Sequence, residues 1–139
     1  MECELCDKPG GWVLWQDDSL RVVLVDDADY PGFCRVIWAE HVVEMTELGS
    51  EERDYLMRTV FMVESVLRQI MKPDKMNLAS MGNVVPHIHW HVIPRFVEDR
   101  HFPQPVWGQP QRPRLVSVQI DRLVLKKELQ AVLPVTKEE

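Results

Sequence analysis

No apolar run in this chain of 139 residues reaches the roughly 18 residues needed to span a bilayer, so a membrane helix is not expected. The opening stretch, MECELCDKPGG, lacks both the basic region and the apolar stretch of a secretory signal, and a cytoplasmic location is the expectation. Basic residues are in deficit: 16 Lys and Arg stand against 22 Asp and Glu, a formal net charge of −6. So acidic a chain lacks the positive field that grips DNA or RNA backbones, and no nucleic-acid polymer is expected as a partner. A small phosphate-bearing ligand stays compatible, because a few local groups override the overall field. Cysteines are few and odd in number, Cys3, Cys6 and Cys34, which does not suggest a disulfide framework. Cys34 lies in an apolar run and reads as a small core residue. Internal repeats and low-complexity tracts are also missing.

What is present fits one ordinary globular domain over residues 1–139, with 45% hydrophobic and 27% charged residues. GGWVLWQDD reads as a short strand entered from a glycine turn. LRVVLVDD (20–27) and FCRVIW (33–38) are β-branched strands joined by the turn DADYPG, an antiparallel hairpin. From Ser50 the period changes. Leu56, Val60, Val63, Leu67 and Ile70 recur at spacings of three and four, the apolar face of one long helix. Ser50 is its expected N-cap, Glu51, Glu52 and Asp54 suit the positive end of its dipole, and Pro73 stops it. KMNLASMG (75–82) and HIHWHVIPR (87–95) read as two further strands with a tight connection near Gly82 and Asn83. The four prolines of 101–114 make that stretch an extended loop or arm. DRLVLKKELQAVL is a short helix with Asp121 as its cap. Strands, a long helix, then strands give an α+β domain with a five-stranded antiparallel sheet. Residues 1–100 form its core, 101–114 the arm and 115–139 a C-terminal extension.

Three of the five histidines fall at strict two-residue spacing, His87, His89 and His91. On a strand they share one face, about 6–7 Å apart, while Ile88, Trp90 and Val92 face the core. A plain polar face would carry Thr, Lys, Glu or Ser rather than three histidines. Two neighbouring histidines can ligate one zinc, but a third so far along the strand reaches that ion poorly. Nucleophilic chemistry fits better. One imidazole attacks a phosphate while its neighbours position oxygens and help the leaving group, work suited to a pKa near neutrality.

HIHWHVI, with Gly82 and Asn83 upstream, IPR downstream, VIWAEH before the long helix and LVDDADYPG before that, resembles the histidine-triad (HIT) superfamily of nucleotide hydrolases and transferases. The resemblance covers most of residues 1–100 and leaves out the arm and final helix. It implies that His89 is the nucleophile, attacking an α-phosphate to give a nucleotidyl-histidine intermediate. It further implies that His91 contacts that phosphate and assists departure, and that His87 supports the nucleophile or binds a structural metal. Asp26 resembles the acidic residue holding ribose hydroxyls, ahead of Asp27, and Asn77 and Asn83 resemble the groups orienting phosphate oxygens. Many members carry Gln then Ser or Thr after the glycine, where this chain has Asn83 then Val84, so one hydroxyl donor is missing. A homodimer joined sheet to sheet is implied, and the arm is expected to reach the partner near its active site. No cofactor is required for catalysis.

Cys3 and Cys6 have the CxxC spacing of half a tetrahedral zinc site, and no thioredoxin-like pattern follows to favour redox chemistry. By resemblance, His41 and His87 would complete a closed, structural Cys2His2 site. The competing reading is two unligated thiols near a frayed terminus and an ordinary exposed His41. Trp12, Trp15, Trp38 and Trp90 read as core and Trp107, in the arm, as exposed, able to stack on a base or on a partner subunit. Met57, Met62 and Met71 are core filler, and Lys126–Glu128 a solvated helix face. Three functions compete: a hydrolase of nucleoside phosphoramidates or dinucleoside polyphosphates, a nucleotide-binding module with incidental turnover, and a metal-binding protein using the histidines.

Overall fold

The structure, a computed structural model, describes residues 2–114 and 118–134. Of the expected C-terminal extension, 115–117 and 135–139 therefore lie outside the described residues. A four-residue helix, α1 (Glu4–Asp7), leads into β1 (Trp12–Gln16), β2 (Leu20–Leu24) and β3 (Cys34–Trp38). The long helix α2 (Ser50–Met71) follows, then β4 (Lys75–Ala79), β5 (His89–Arg95) and α3 (Arg122–Val132). All neighbouring strands are antiparallel, in the order β1-β2-β3-β5-β4. The α+β class and the five-stranded sheet are as the sequence implied.

Alternation along the strands gives the sheet two different faces. On one, Val22, Val36, Trp38 and Val92 join Leu56, Val60, Val63 and Leu67 of α2 and Leu125 and Leu129 of α3 in the main core. On the other, Val23 and Ile37 pack against Cys3 and Leu5 of the N-terminal segment, and Ile93 packs with Tyr30 and Phe33. The domain is thus three layers deep, and the second layer of cover is loop and terminus, with only the four-residue α1 as helix.

Local chemistry explains the elements. The β1–β2 turn is closed by Asp17, whose carboxylate accepts from Ser19 N at 2.8 Å and Leu20 N at 2.9 Å. The N-cap of α2 lies one residue earlier than expected. Gly49 is the N-cap, Ser50 is already helical, and Glu52 accepts from Gly49 N at 2.8 Å. At its other end Lys72 turns left-handed at φ 51° before Pro73. Asp121 caps α3 as expected, accepting from Leu123 N and Val124 N. Lys126 is less solvated than its sequence suggests: its ammonium and the Arg122 guanidinium lie over the Trp12 ring, at 5.3 and 4.7 Å.

The β4–β5 connection is not the expected tight turn. It runs from Ser80 to Ile88, because His87 and Ile88 follow an irregular course beside β3. There Trp38 N donates to Ile88 O at 3.1 Å and Ile88 N to Val42 O at 2.9 Å. The proline-rich arm likewise departs from an extended segment. It folds back across the second face of its own sheet, pinned by Arg95 at the end of β5. That guanidinium, 2% exposed, donates to Asp99 at 2.8 and 3.1 Å, to Gln104 O at 2.7 Å and to Asn77 Oδ1 at 2.7 Å. Asp99 also accepts from Phe96 N and Phe102 N, and Arg112 donates to the Asp99 and Phe102 carbonyls.

Candidate active site and metal centre

The three histidines lie on one side of the sheet, as their spacing implied, but they are not exposed. His87, His89 and His91 are 1%, 8% and 6% exposed. The N-terminal segment and the arm cover a face that would otherwise meet water. Their alternating neighbours sort as expected, with Ile88 and Val92 buried and Trp90 partly so.

Each histidine has a different partner. His89 Nδ1 lies 2.6 Å from His87 O. A carbonyl only accepts, so Nδ1 carries the proton and neutral His89 keeps its lone pair on Nε2. His87 is oriented the other way. Its Nε2 donates to Trp38 O at 2.6 Å, leaving the Nδ1 lone pair 3.3 Å from Cys3 Sγ and 3.6 Å from Cys6 Sγ. His91 Nδ1 is buried without a hydrogen-bond partner. Its ring makes edge-type contacts with His89 and with Trp107, each at a centroid distance of 4.9 Å.

Burial is the first cause holding all three imidazoles below their ordinary pKa. For His89 the hydrogen bond to the His87 carbonyl opposes this and the Arg35 charge adds to it. His91 goes furthest, to about 4, with His89 and Arg35 adding to desolvation. At neutral pH both rings are therefore neutral bases.

His89 and His91 line a cleft of about 320 Å³, closed by the 81–85 loop, by Glu4 and Leu5 of α1, by Arg35 of β3 and by Trp107 of the arm. Gly82 makes the bend in that loop, at φ 71°, a left-handed conformation that favours glycine. Of the anticipated substrate contacts, Asn83 lines this cleft. Asn77 does not, since its side-chain oxygen is taken by Arg95. Asp26 is exposed and lines a separate hollow of about 1000 Å³ between the β2–β3 connection and the start of α3. Arg35, within the FCRVIW strand, was not singled out from sequence. Only the register, which sets it opposite His91, reveals it.

The four anticipated metal ligands do meet. Donor atoms of Cys3, Cys6, His41 and His87 all lie within 4.8 Å of one another. His41 Nδ1 is 3.6 Å from Cys6 Sγ. A tetrahedral zinc with ordinary Zn–S and Zn–N bonds sets its sulfur and nitrogen ligands about 3.6 Å apart, so the spacing fits. The His87 Nε2–H bond to a backbone carbonyl is the outer support such ligands use. This donor set takes His87 out of the row and leaves His89 and His91 to the cleft.

Residues 11–98 match the model of the family described as the HIT domain. A histidine triad protein from Bradyrhizobium japonicum is 28% identical, with 94% of this chain and 92% of that one covered at a TM-score of 0.71. One from Marinobacter aquaeolei is 26% identical, with 94% and 93% covered at a TM-score of 0.72. A Zn-bound histidine triad family protein from Mycobacterium smegmatis shares the fold at 22% identity, with 94% and 92% covered and a TM-score of 0.63. No curated protein matches the sequence.

Proposed function

We propose that this chain, which belongs to the HIT domain family, hydrolyses or transfers a nucleoside monophosphate group through a covalent intermediate on His89. Family membership supports a nucleotide-binding or hydrolase-type function in general. The finer reading rests chiefly on one observation: His89 Nδ1–H is tied to the His87 carbonyl, which leaves Nε2 as an unprotonated nucleophile in a cleft. In the first step Nε2 attacks the α-phosphorus. The P–Nε2 bond forms as the bond to the leaving group breaks, and that group departs with the electron pair and takes up a proton. Water then attacks phosphorus, the P–Nε2 bond breaks, and His89 returns to its neutral form. Splitting one displacement into two is the benefit of a covalent intermediate. His91, packed against His89, is suited to hold the phosphoryl oxygens and assist departure, and Asn83 to donate to them. The substrate class is a nucleoside phosphoramidate or a dinucleoside polyphosphate. Asp26, in its separate hollow, holds the ribose in this reading only if the β2–β3 connection shifts.

His89→Asn tests this with a substrate panel and mass detection of products. Turnover should fall about 10³-fold or more, nucleotide binding should persist, and the nucleotidyl adduct should vanish. Unaltered turnover in His89→Asn would end the reading.

The chemistry of the Cys3, Cys6, His41 and His87 donor set supports a structural zinc, which would cross-link the N-terminal segment to the strand-entry loop and leave catalysis to His89. The Zn-bound relative from Mycobacterium smegmatis is consistent with this. Protein purified without a polyhistidine tag should carry about one zinc per chain, and Cys3→Ser should abolish it. Less than about a tenth of an equivalent in the wild type would refute the site. A homodimer also belongs to this proposal. Among the described residues β4 is an edge strand, with one side open to a second copy, and light scattering decides it.

A further inference from the structure

We propose that Arg35 is the anion receptor of the histidine cleft, its guanidinium binding a phosphate oxygen of the ligand beside His91. The inference deepens the nucleotide reading above and rests on it for the identity of the ligand.

Arg35 lies on β3 at the register position opposite His91 on β5, and both side chains line the same cleft. One nitrogen, Nη1, is engaged, donating to Gly10 O at 2.9 Å. Gly10 sits at φ 82°, a left-handed conformation that side chains rarely adopt, so the carbonyl that anchors Arg35 depends on a glycine. Nε, by contrast, is buried with no partner, and among the described residues nothing accepts from Nη2. Those two nitrogens form the side-on edge of the guanidinium, the fork that matches two oxygens of a phosphate.

Among the described residues no acid closes an ion pair with Arg35, and the Glu4 charge acts on it only from longer range. Among the described residues the ion pairs are Arg95–Asp99, Arg100–Asp29 and Arg114–Asp29, and none includes Arg35. Glu4 is the acidic residue in the cleft wall, exposed and outside ion-pair distance. Half-burying a cation with an unsatisfied donor costs free energy, and it persists where a ligand provides what is missing. His89 and His91 are neutral, so Arg35 is the permanent positive charge of the cleft lining. A chain of net charge −6 then draws a phosphate to this spot through one local cation rather than through its overall field.

The test is calorimetric titration of the full chain with two probes, adenosine 5′-monophosphate and adenosine, repeated with the guanine pair. The wild type should bind the monophosphate more tightly than the nucleoside. Arg35→Gln should weaken the monophosphate about tenfold to a hundredfold, the range of a lost charge-assisted hydrogen bond, and leave the nucleoside unchanged. Arg35→Lys should recover part of the loss, since it keeps the charge without the fork. Wild-type affinity for the monophosphate in Arg35→Gln, or a wild type that prefers the nucleoside or binds neither probe, overturns the proposal. Should Arg35→Gln fail to fold, Arg35→Lys decides alone, and an undiminished monophosphate affinity is the refuting result. Turnover is not the readout. A chain that hydrolyses nothing but shows Arg35-dependent monophosphate binding refutes the hydrolase reading and upholds this one. Normal hydrolysis with Arg35-independent binding does the reverse.

Discussion

The two faces of this sheet are closed by different physics. Under α2 and α3 the contacts are aliphatic, interchangeable in kind and spread over many residues. Over the other face, cover comes from a terminus and an arm held by a few directional contacts. These are the Cys3, Cys6, His41 and His87 cluster and the Arg95–Asp99 pair with its backbone carbonyls. Non-directional burial tolerates change by degrees, whereas a directional network fails when one member is lost. Placing His89 and His91 under the second kind of cover lets a cleft remain where a packed helix would have filled it.

The sharpest way to break the comparison is to remove one member from each side. Burial alone would raise the Asp99 carboxyl. The bonds from Arg95, Phe96 N and Phe102 N outweigh it and hold the group below the usual carboxylate range. Asp99→Ala leaves Arg95 charged, buried and short of its main acceptor, at an expected cost of about 3–5 kcal/mol. It should also free the arm, so Trp107 fluorescence should change and activity fall together with stability. Leu67→Ala, in the main core, should cost about 2–5 kcal/mol in denaturant unfolding, leaving turnover per folded molecule near wild type. Equal damage to activity by both variants would mean that the two faces are not distinct.

These differences also mark what the sequence could carry. The three-four spacing of Leu56 to Leu67, Pro73 and the β-branched runs are local signals, and they located α2 and the strands within a few residues. The two-residue spacing of the histidines likewise put them on one side. Their burial could not be read, because what covers them comes from residues 2–6 and 99–112, far along the chain. The same holds for Arg35, whose importance is a matter of register, and for Asn77, whose amide oxygen is claimed by Arg95 eighteen residues later. Prolines barred regular structure from the arm but said nothing of the Asp99 and Arg112 bonds that shape it. Half of the metal cluster was legible in the CxxC spacing, but His41 and His87 were legible through family resemblance alone, since they lie 35 and 84 residues from Cys6 and Cys3.

A milder perturbation is pH. With its folded pKa near 4 and an unfolded value near 6.5, His91 takes up its proton more readily in the unfolded chain. Its stability contribution is therefore complete above about pH 6.5 and is lost as pH falls towards 4, a total of about 2–4 kcal/mol. His89 is lowered as well, burial being the first cause, and adds a loss of the same sign. Denaturant unfolding at pH 7, 5.5 and 4.5 should show a progressive loss that His91→Gln reduces. An identical pH profile in that variant would mean that His91 is not held neutral by its surroundings.

The smallest effect sharpens the comparison most closely, because it concerns the cover alone. Trp107 is 49% exposed, yet one edge rests on His91 at a centroid distance of 4.9 Å. Such an aromatic contact is worth about 0.5–1.5 kcal/mol, so Trp107→Ala should change kcat/KM only by about twofold to tenfold. Its second consequence is directional. Desolvation is the first cause of the depressed His91 pKa, and removing the indole admits water, so the pKa should rise towards its ordinary value. The acid limb of the kcat/KM profile should then move to higher pH in Trp107→Ala, by more than the change in melting temperature explains. Trp107→Phe, which restores an aromatic edge, should move it back. An acid limb that stays put in both variants would make the indole a passenger on the arm, and the seclusion of His91 would then rest on the sheet and on Phe33, 5.6 Å away.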